Sequence, residues 1–269
     1  MVLLAYDGTD LHGWQYQENA RSVQGELIAA LARMAPDAIR LRASGRTDAG
    51  VHAEALPVTF QTRAAIPSRG LLRGLNSLLP EDIAVRAVRE MPHGFDARSE
   101  ARGKRYHYDL WSSEWPNPLR RRTSWWLRGA FPDTVAMARA AELLVGNHDF
   151  AAFRSAQCDS PTTRRRLKRV EVNTQAPHLI RIVVEGDAFL QHMVRIIVGT
   201  LVDVGRGRKS PAQVSRILAS GDRVLAGQTA PAQGLTLEKV FFAEDGWPAK
   251  THSSPGPRHP SRKTRDTKL

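Results

Sequence analysis

The segment RASGRTDAGVHAEA, residues 42–55, sets charged side chains between two glycines and separates two stretches that each predict a β-strand. IRLRA (39–43) precedes it and LPVTFQT (56–62) follows it, and both have the apolar and β-branched character of strands. Two interpretations of Arg46 and Asp48 are open at this point. An Asp before Ala-Gly is a common turn former, because its side chain bonds the nearby backbone. Loops held by rigid strands are also where functional side chains concentrate.

The composition is typical of a soluble globular protein. The chain has 269 residues, of which 42% are hydrophobic, enough for one large domain or two smaller domains with real cores. No apolar run approaches the length that spans a bilayer, and the first ten residues lack the charged start and long apolar stretch of a signal peptide. We therefore expect a cytoplasmic protein with no membrane partner.

The net charge of +12 indicates a polyanionic partner, nucleic acid before membrane. Six Lys/Arg and one acidic residue lie within residues 246–269, so +5 of this charge lies there and the remaining chain carries +7. Pro, Ser, Gly and basic residues predominate in that last segment, and almost nothing in it can be buried. We predict a basic disordered tail over 246–269 and a body that is basic without it.

A zinc-dependent reading of the motif fails on ligand count. His52–Glu54 (HAE) matches half of the zinc nucleobase deaminase signature, but the other half requires P-C-x-x-C. Cys158 is the only cysteine in the sequence, and the nine histidines show no H-x-x-x-H spacing. We expect neither a metal nor an internal disulfide.

Hydrophobic periodicity predicts strands and helices that alternate twice along the chain. Val23, Leu27, Leu31 and Met34 fit one helical face with Ser22 as its N-cap. The first half is predicted to contain strands over 2–7, 39–43, 56–62 and 83–91, and helices from residue 23 and over 67–79. The second half is predicted to contain strands over 104–111, 167–173, 178–186 and 234–242, and helices over 134–146 and 189–205. The pattern predicts an α+β fold around a mostly antiparallel sheet.

The motif GRTDAGVHA (45–53) resembles the active-site motif of the TruA-type tRNA pseudouridine synthases. Other segments resemble the same family in the same order, so the resemblance runs from about residue 5 to residue 242. These segments are YDGTDLHGWQYQ, RSVQG, FDARSEARGKRYHY, FLQHMVRIIVG and APAQGLTL. Several motifs in the right order are far more specific than one loop.

The resemblance implies both a fold and an activity. The family fold consists of two pseudo-symmetric α/β halves that share a central sheet, with the active-site cleft between them. In this chain the halves would be 1–103, which contains the catalytic loop, and 104–245. The activity is isomerisation of uridine to pseudouridine at positions 38, 39 and 40 of the tRNA anticodon arm, by a homodimer and without a cofactor.

The resemblance also assigns Asp48 as the catalytic carboxylate, and the residues themselves suggest its partner. Arg195 lies among Met193, Val194, Ile196 and other apolar residues, and a charge in such surroundings usually has a partner. A guanidinium held by a packed helix would keep a carboxylate charged and fix its rotamer. Sequence leaves open whether the carboxylate attacks the sugar, attacks the base or assists proton transfer.

Three further residues receive roles from the resemblance. Tyr106, which alone would be interpreted as a core aromatic, matches a tyrosine that lies against the target base, while Tyr108 is the weaker candidate. Leu235 matches a leucine on the other side of that base. Arg46 matches an arginine that fills the space left when the uridine leaves its stack. His192 receives no role from either line of reasoning.

Clusters of arginine in predicted loops carry two interpretations, as phosphate contacts or as a solvated edge. They are Arg21, Arg120, Arg121, Arg122, Arg164, Arg165 and Arg166. A rival function is a non-catalytic RNA-binding protein with an RRM-like sheet. That rival gives no reason for Asp48, because an acid facing phosphates weakens binding, and the chain lacks the glycine-aromatic signature of an RRM strand.

Overall fold

The computed structural model describes residues 1–243, so the predicted tail over 246–269 lies outside the described residues. This part of the chain contains ten strands and five α-helices. The strands are β1 (Val2–Tyr6), β2 (Ile39–Ala43), β3 (His52–Gln61), β4 (Ile83–Val88), β5 (Ala101–Ser113), β6 (Trp125–Arg128), β7 (Gly146–Asp149), β8 (Arg164–Ala176), β9 (Leu179–Gly186) and β10 (Leu235–Phe242). The helices are α1 (Val23–Met34), α2 (Ser68–Leu78), α3 (Thr134–Glu142), α4 (Met193–Gly205) and α5 (Pro211–Ser220).

All ten strands belong to one sheet, which confirms the predicted α+β class. The order is β4-β1-β3-β10-β5-β9-β8-β7, with β2 paired to β3 and β6 paired to β5. Neighbours are antiparallel except in the β3–β10 and β5–β6 pairs, which are parallel. The proposed boundary between residues 103 and 104 falls inside β5. Pseudo-symmetry between the two halves stays a prediction.

The parallel pair β3–β10 joins the beginning of the chain to its end. Thr236 lies opposite His52 and Leu237 lies opposite Ala53. The loop that ends at β3 is therefore next to the residue that opens β10. This register brings Asp48 and Leu235 to the same edge of the sheet.

The first helix forms as its sequence predicts. Ser22 caps α1, and its side chain accepts a hydrogen bond from the Gly25 N–H, which satisfies one of the free donors of the first turn. Val23, Leu27 and Leu31 are buried in the hydrophobic core. The predicted apolar face is thus confirmed.

The long apolar helix begins later than predicted. The periodic segment starts at Phe189, but α4 starts at Met193, because His192 adopts the left-handed conformation with φ 62° and ψ 3°.

Nearly every residue of α4 is buried. A Cβ on Gly199 would lie 1.9 Å from the carbonyl oxygen of Gln228, so this glycine allows the segment before β10 to cross α4 in direct backbone contact.

Three elements were not predicted from the sequence, and one helix ends early. α3 ends at Glu142 instead of Gly146, which has a φ of +117° and opens β7. The short strands β6 and β7 lack a period long enough to detect. α5 had recognisable signals in Ser210, Pro211 and Gln213, which form a capping box with proline in the first turn.

Candidate active site

The loop between β2 and β3, residues 44–51, is held in place by backbone hydrogen bonds and by one buried side chain. Thr47 is buried, and its hydroxyl lies 2.8 Å from the hydroxyl of Tyr6. The Thr47 carbonyl accepts a hydrogen bond from the Trp14 N–H. The Val51 N–H donates to the Asp48 carbonyl to close a turn, and Gly50 within it has a φ of +78°. The second glycine of the motif therefore serves the turn, and the polar residues before it are held in place.

Asp48 projects from this loop towards the first turn of α4. Its Oδ2 lies 3.4 Å from Nη1 of Arg195 and 3.5 Å from Nε2 of His192. The Asp48 side chain is 30% exposed and that of Arg195 is 15% exposed. The carboxylate thus faces a guanidinium in a partly dry setting while it keeps an open side. Arg195 is the partner that the sequence suggested.

The chain before β10 fixes the orientation of Arg195. Its Nε donates a hydrogen bond of 2.7 Å to the Ala230 carbonyl, and the Ala230 N–H donates to the Arg195 carbonyl. With Nε engaged, the guanidinium can rotate little, and Nη1 remains directed at Asp48. Two anchors that are far apart in sequence therefore set the distance between the two charges.

Tyr106 and Leu235 lie at the cleft with the carboxylate, as the resemblance implies. Both side chains are buried and both line the cleft that Asp48 faces. The Tyr106 ring packs edge-on against Phe189, with the centroids 5.1 Å apart. Burial, and then the negative charge of Asp48, raises the pKa of Tyr106 above its usual value. Its phenol is therefore un-ionised at neutral pH.

Tyr108 has a structural role instead. It is fully buried, and its hydroxyl donates a 2.7 Å hydrogen bond to the Pro231 carbonyl. Burial raises the pKa of Tyr108. The two tyrosines share one face of β5, but only Tyr106 lines the cleft.

The cleft itself has a volume of about 1130 Å³ and is bordered by Arg46 on the loop side. Arg46 is exposed and makes no hydrogen bond or ion pair with any residue of 1–243. Its guanidinium is thus available to a ligand. The volume exceeds the several hundred Å³ of a small-molecule pocket, and it suits a nucleotide together with its neighbours.

Sequence reasoning gave no role to His192, which the structure brings to the carboxylate. Burial is the main cause that lowers the pKa of His192, and the nearby charge of Asp48 opposes the shift. Its ring is therefore predominantly neutral at neutral pH. The available signal was its spacing. His192 precedes Arg195 by three residues, and residues three apart lie on the same side of a helix.

The predicted arginine clusters differ in what they contact. Arg21 donates to both carboxylate oxygens of Asp82 and to Glu26. Its donors are occupied by acids, which argues against Arg21 as a phosphate contact. Arg122 lies 3.8 Å from Asp7. The exposed members of the two remaining runs include Arg121 and Arg164, and these runs stay candidate phosphate contacts.

The described residues offer neither a metal-binding cluster nor a membrane-spanning helix. Among the described residues, no three His, Cys, Asp or Glu side chains cluster as a metal site would require. None of the helices within 1–243 combines the length and apolar character needed to cross a bilayer.

Comparison with known proteins places the chain first in a class and then in a family. A family model described as tRNA pseudouridine synthase matches residues 140–243. The tRNA pseudouridine synthase A of Geotalea uraniireducens is 46% identical over 241 residues, which cover 90% of this chain and 98% of the relative. Those of Geobacter sulfurreducens and Myxococcus xanthus are 48% identical over 90% of this chain and 98% of theirs, and 44% identical over 93% and 94%. The chain belongs to the tRNA pseudouridine synthase A family, which confirms the resemblance carried by the motifs.

Proposed function

We propose that this protein isomerises uridine to pseudouridine at positions 38, 39 and 40 of the tRNA anticodon arm, with Asp48 as the catalytic carboxylate. One observation carries the proposal. Asp48, Arg195, Tyr106 and Leu235 come from four distant segments, yet all four border one cleft, and Asp48 directly faces Arg195. Family membership supplies the reaction class, and this arrangement supports the assignment of roles.

The reaction explains why a carboxylate is needed. The N1–C1′ bond breaks, the uracil turns, and a new bond forms between C5 and C1′, while C5 loses a proton and N1 gains one. Atoms balance without any co-reactant. The carboxylate of Asp48 assists cleavage of the N1–C1′ bond, and Arg195 holds it in one orientation.

The base lies between Tyr106 and Leu235 in this proposal. Removing the uridine from its stack costs a few kcal/mol, and burial of the base against two apolar surfaces offsets part of that cost. The raised pKa of Tyr106 supports a role for its phenol as a neutral group near C5 and argues against a phenolate base. Arg46, exposed at the rim, occupies the space that the base leaves.

The remaining expectations belong to the same proposal. The protein acts as a homodimer in the cytoplasm, and its two halves meet at the β3–β10 pair. The exposed side chains of Trp115 and Leu119, at 70% and 93% exposure, are compatible with a subunit contact. Light scattering of the purified protein would measure the mass, and a monomer at micromolar concentration would contradict the dimer.

Turnover on unmodified tRNA tests the function. Pseudouridine is mapped by carbodiimide treatment and primer extension, with wild-type protein and with Asp48→Asn as the matched control. We expect stops that mark pseudouridine at positions 38 to 40 with the wild type and none with the amide variant. A protein that binds tRNA but leaves every uridine unchanged would instead support the rival RNA-binding function.

A further inference from the structure

Lys104 is a cation in the cleft to which the catalytic assignment gives no role. It lies on β5, two residues before Tyr106, and therefore on the same face of the strand. It lines the same cleft as Asp48. Its side chain is partly buried, and it makes no hydrogen bond or ion pair within the described part of the chain. Burying a charge without a partner costs free energy, and an anionic ligand would offset that cost at Lys104.

The first glycine of the motif creates the place that Lys104 occupies. A Cβ on Gly45 would lie 2.7 Å from Nζ and 3.0 Å from Cε of Lys104. The ammonium thus packs against the backbone of the loop that carries Arg46 and Asp48. A side chain at residue 45 would displace it. The absence of a side chain at Gly45 therefore makes room for the Lys104 ammonium, which lines the same cleft as Asp48.

Within residues 1–243, the charges around Lys104 leave it without a counter-ion. Burial, and then the positive charge of Arg98, lowers the pKa of Lys104. Asp187, at the same cleft, is paired with Lys168 at 2.6 Å, and Asp48 is paired with Arg195. Among the described residues, the third acid that lines the cleft is Asp159, which is exposed on the segment between β7 and β8.

We propose that Lys104 binds a backbone phosphate of the RNA, at the linkage next to the flipped uridine. The inference rests on the proposed function. With uracil against Tyr106, residue 104 is displaced along the strand by roughly 7 Å, which is far enough to lie beyond the base while it still lines the cleft. Two like charges, Lys104 and Arg98, favour a ligand with a full negative charge over a base carbonyl.

Binding measured without turnover tests this role. In an Asp48→Asn background, Lys104→Met, Lys104→Gln and Lys104→Arg are titrated with an anticodon stem-loop RNA over a salt series. We expect the two neutral variants to bind roughly tenfold more weakly at low salt and to reduce the slope of log affinity against log salt by roughly 0.7 to 0.9. Lys104→Arg should keep the slope. Lys168→Met is the matched control, because the Lys168 ammonium is paired with Asp187 of the cleft, and it should change the affinity less.

A cycle with a modified RNA locates the contact. Stem-loops with a neutral methylphosphonate on the 5′ or the 3′ side of the target uridine are bound to each variant. At one of these linkages, the methylphosphonate should lower the affinity of the parent protein as much as Lys104→Met lowers the affinity for unmodified RNA. Combining the two changes should lower the affinity no further. Additive losses at both linkages, or weaker binding with an unchanged salt slope, would overturn the phosphate assignment. Failure of the wild type to form pseudouridine would overturn the proposed function. The binding measurements do not depend on turnover and would still test the contact between Lys104 and phosphate.

Discussion

The carboxylate of Asp48 and the guanidinium of Arg195 lie 3.4 Å apart although 147 residues separate them in the sequence. Each is fixed by its own anchor. Thr47 holds the loop of Asp48 through Tyr6, and Ala230 holds the guanidinium. The distance between the two charges is therefore a property of the whole fold.

Arg195→Met should reduce the single-turnover rate at saturating tRNA by on the order of 100-fold or more. Methionine fills the apolar surroundings but cannot orient Asp48. If the two residues act as a unit, Asp48→Asn combined with Arg195→Met should cost no more than Asp48→Asn alone. Arg216→Met, on the exposed side of α5, is the control. Fully additive losses would show that Arg195 acts on something other than Asp48.

The two tyrosines of β5 should separate activity from stability. Tyr108→Phe leaves the Pro231 carbonyl without its donor and should lower the free energy of unfolding by about 1–2 kcal/mol. Tyr106→Phe removes a hydroxyl that has no hydrogen-bond partner within residues 1–243 and should change stability by less than about 0.5 kcal/mol, while it slows isomerisation. Urea unfolding and single-turnover rates measure both. The reverse pattern would exchange the roles assigned to the two residues.

Gly199→Ala should destabilise the protein strongly, because its Cβ would overlap the Gln228 carbonyl oxygen. Overpacking of this kind costs about 1–3 kcal/mol or more, and relief requires the segment that holds Arg195 to move. Gly70→Ala is the matched control, since its Cβ would meet Ile66 at an ordinary 3.4 Å in α2 and should stabilise the helix by up to about 1 kcal/mol. The midpoint of urea unfolding distinguishes them. Equal midpoints would contradict the tight crossing.

Glu238 should contribute stability that disappears in acid. His107, and with it Arg105, lowers the pKa of Glu238 to about 2 from its ordinary 4.5. Between these values the unfolded chain binds the proton more readily, so the contribution is complete above about pH 4.5 and is lost as the pH falls towards 2. Because the side chain is 29% exposed, we expect on the order of 1 kcal/mol.

Urea unfolding of Glu238→Gln as a function of pH checks this. The variant should be less stable than the wild type at pH 6 and should approach it near pH 2. Glu114→Gln, at an exposed residue with no ion pair in the described chain, should follow the wild type throughout. A constant difference between Glu238→Gln and wild type from pH 6 to pH 2 would contradict the assignment.

The sequence predicted most regular elements because their periods are long enough to detect. α1 and its Ser22 cap are confirmed. β6 and β7 have four residues each, too few for a period to stand out. The start of α4 was wrong, since the left-handed backbone of His192 depends on its contacts in the folded site and leaves no local signal.

The candidate site was predicted mainly through motif resemblance, which transfers residue roles without distances. It named Asp48, Arg46, Tyr106 and Leu235, whereas Arg195 was predicted from the apolar residues around it, and the structure brings all five to one cleft. Lys104 was missed because a lysine in a strand is usually solvated, and only the fold shows it lodged against Gly45. A residue's lack of a partner is a three-dimensional property.

The parallel pairing of β3 with β10 also determines when the site can exist. His52 and Thr236 lie side by side, so the sheet cannot close around the carboxylate loop until the chain has been made almost as far as Phe242. Contacts between such distant residues form late and slowly, because the entropy of closing a long loop is lost before the contacts can stabilise the fold. During synthesis from the N-terminus, Asp48 is exposed to the cell long before Leu235 and the Ala230 anchor of Arg195 are added. If Asp48 acts as proposed, an unfinished chain carries its loop without the anchor of Arg195, and activity requires the last strand, β10.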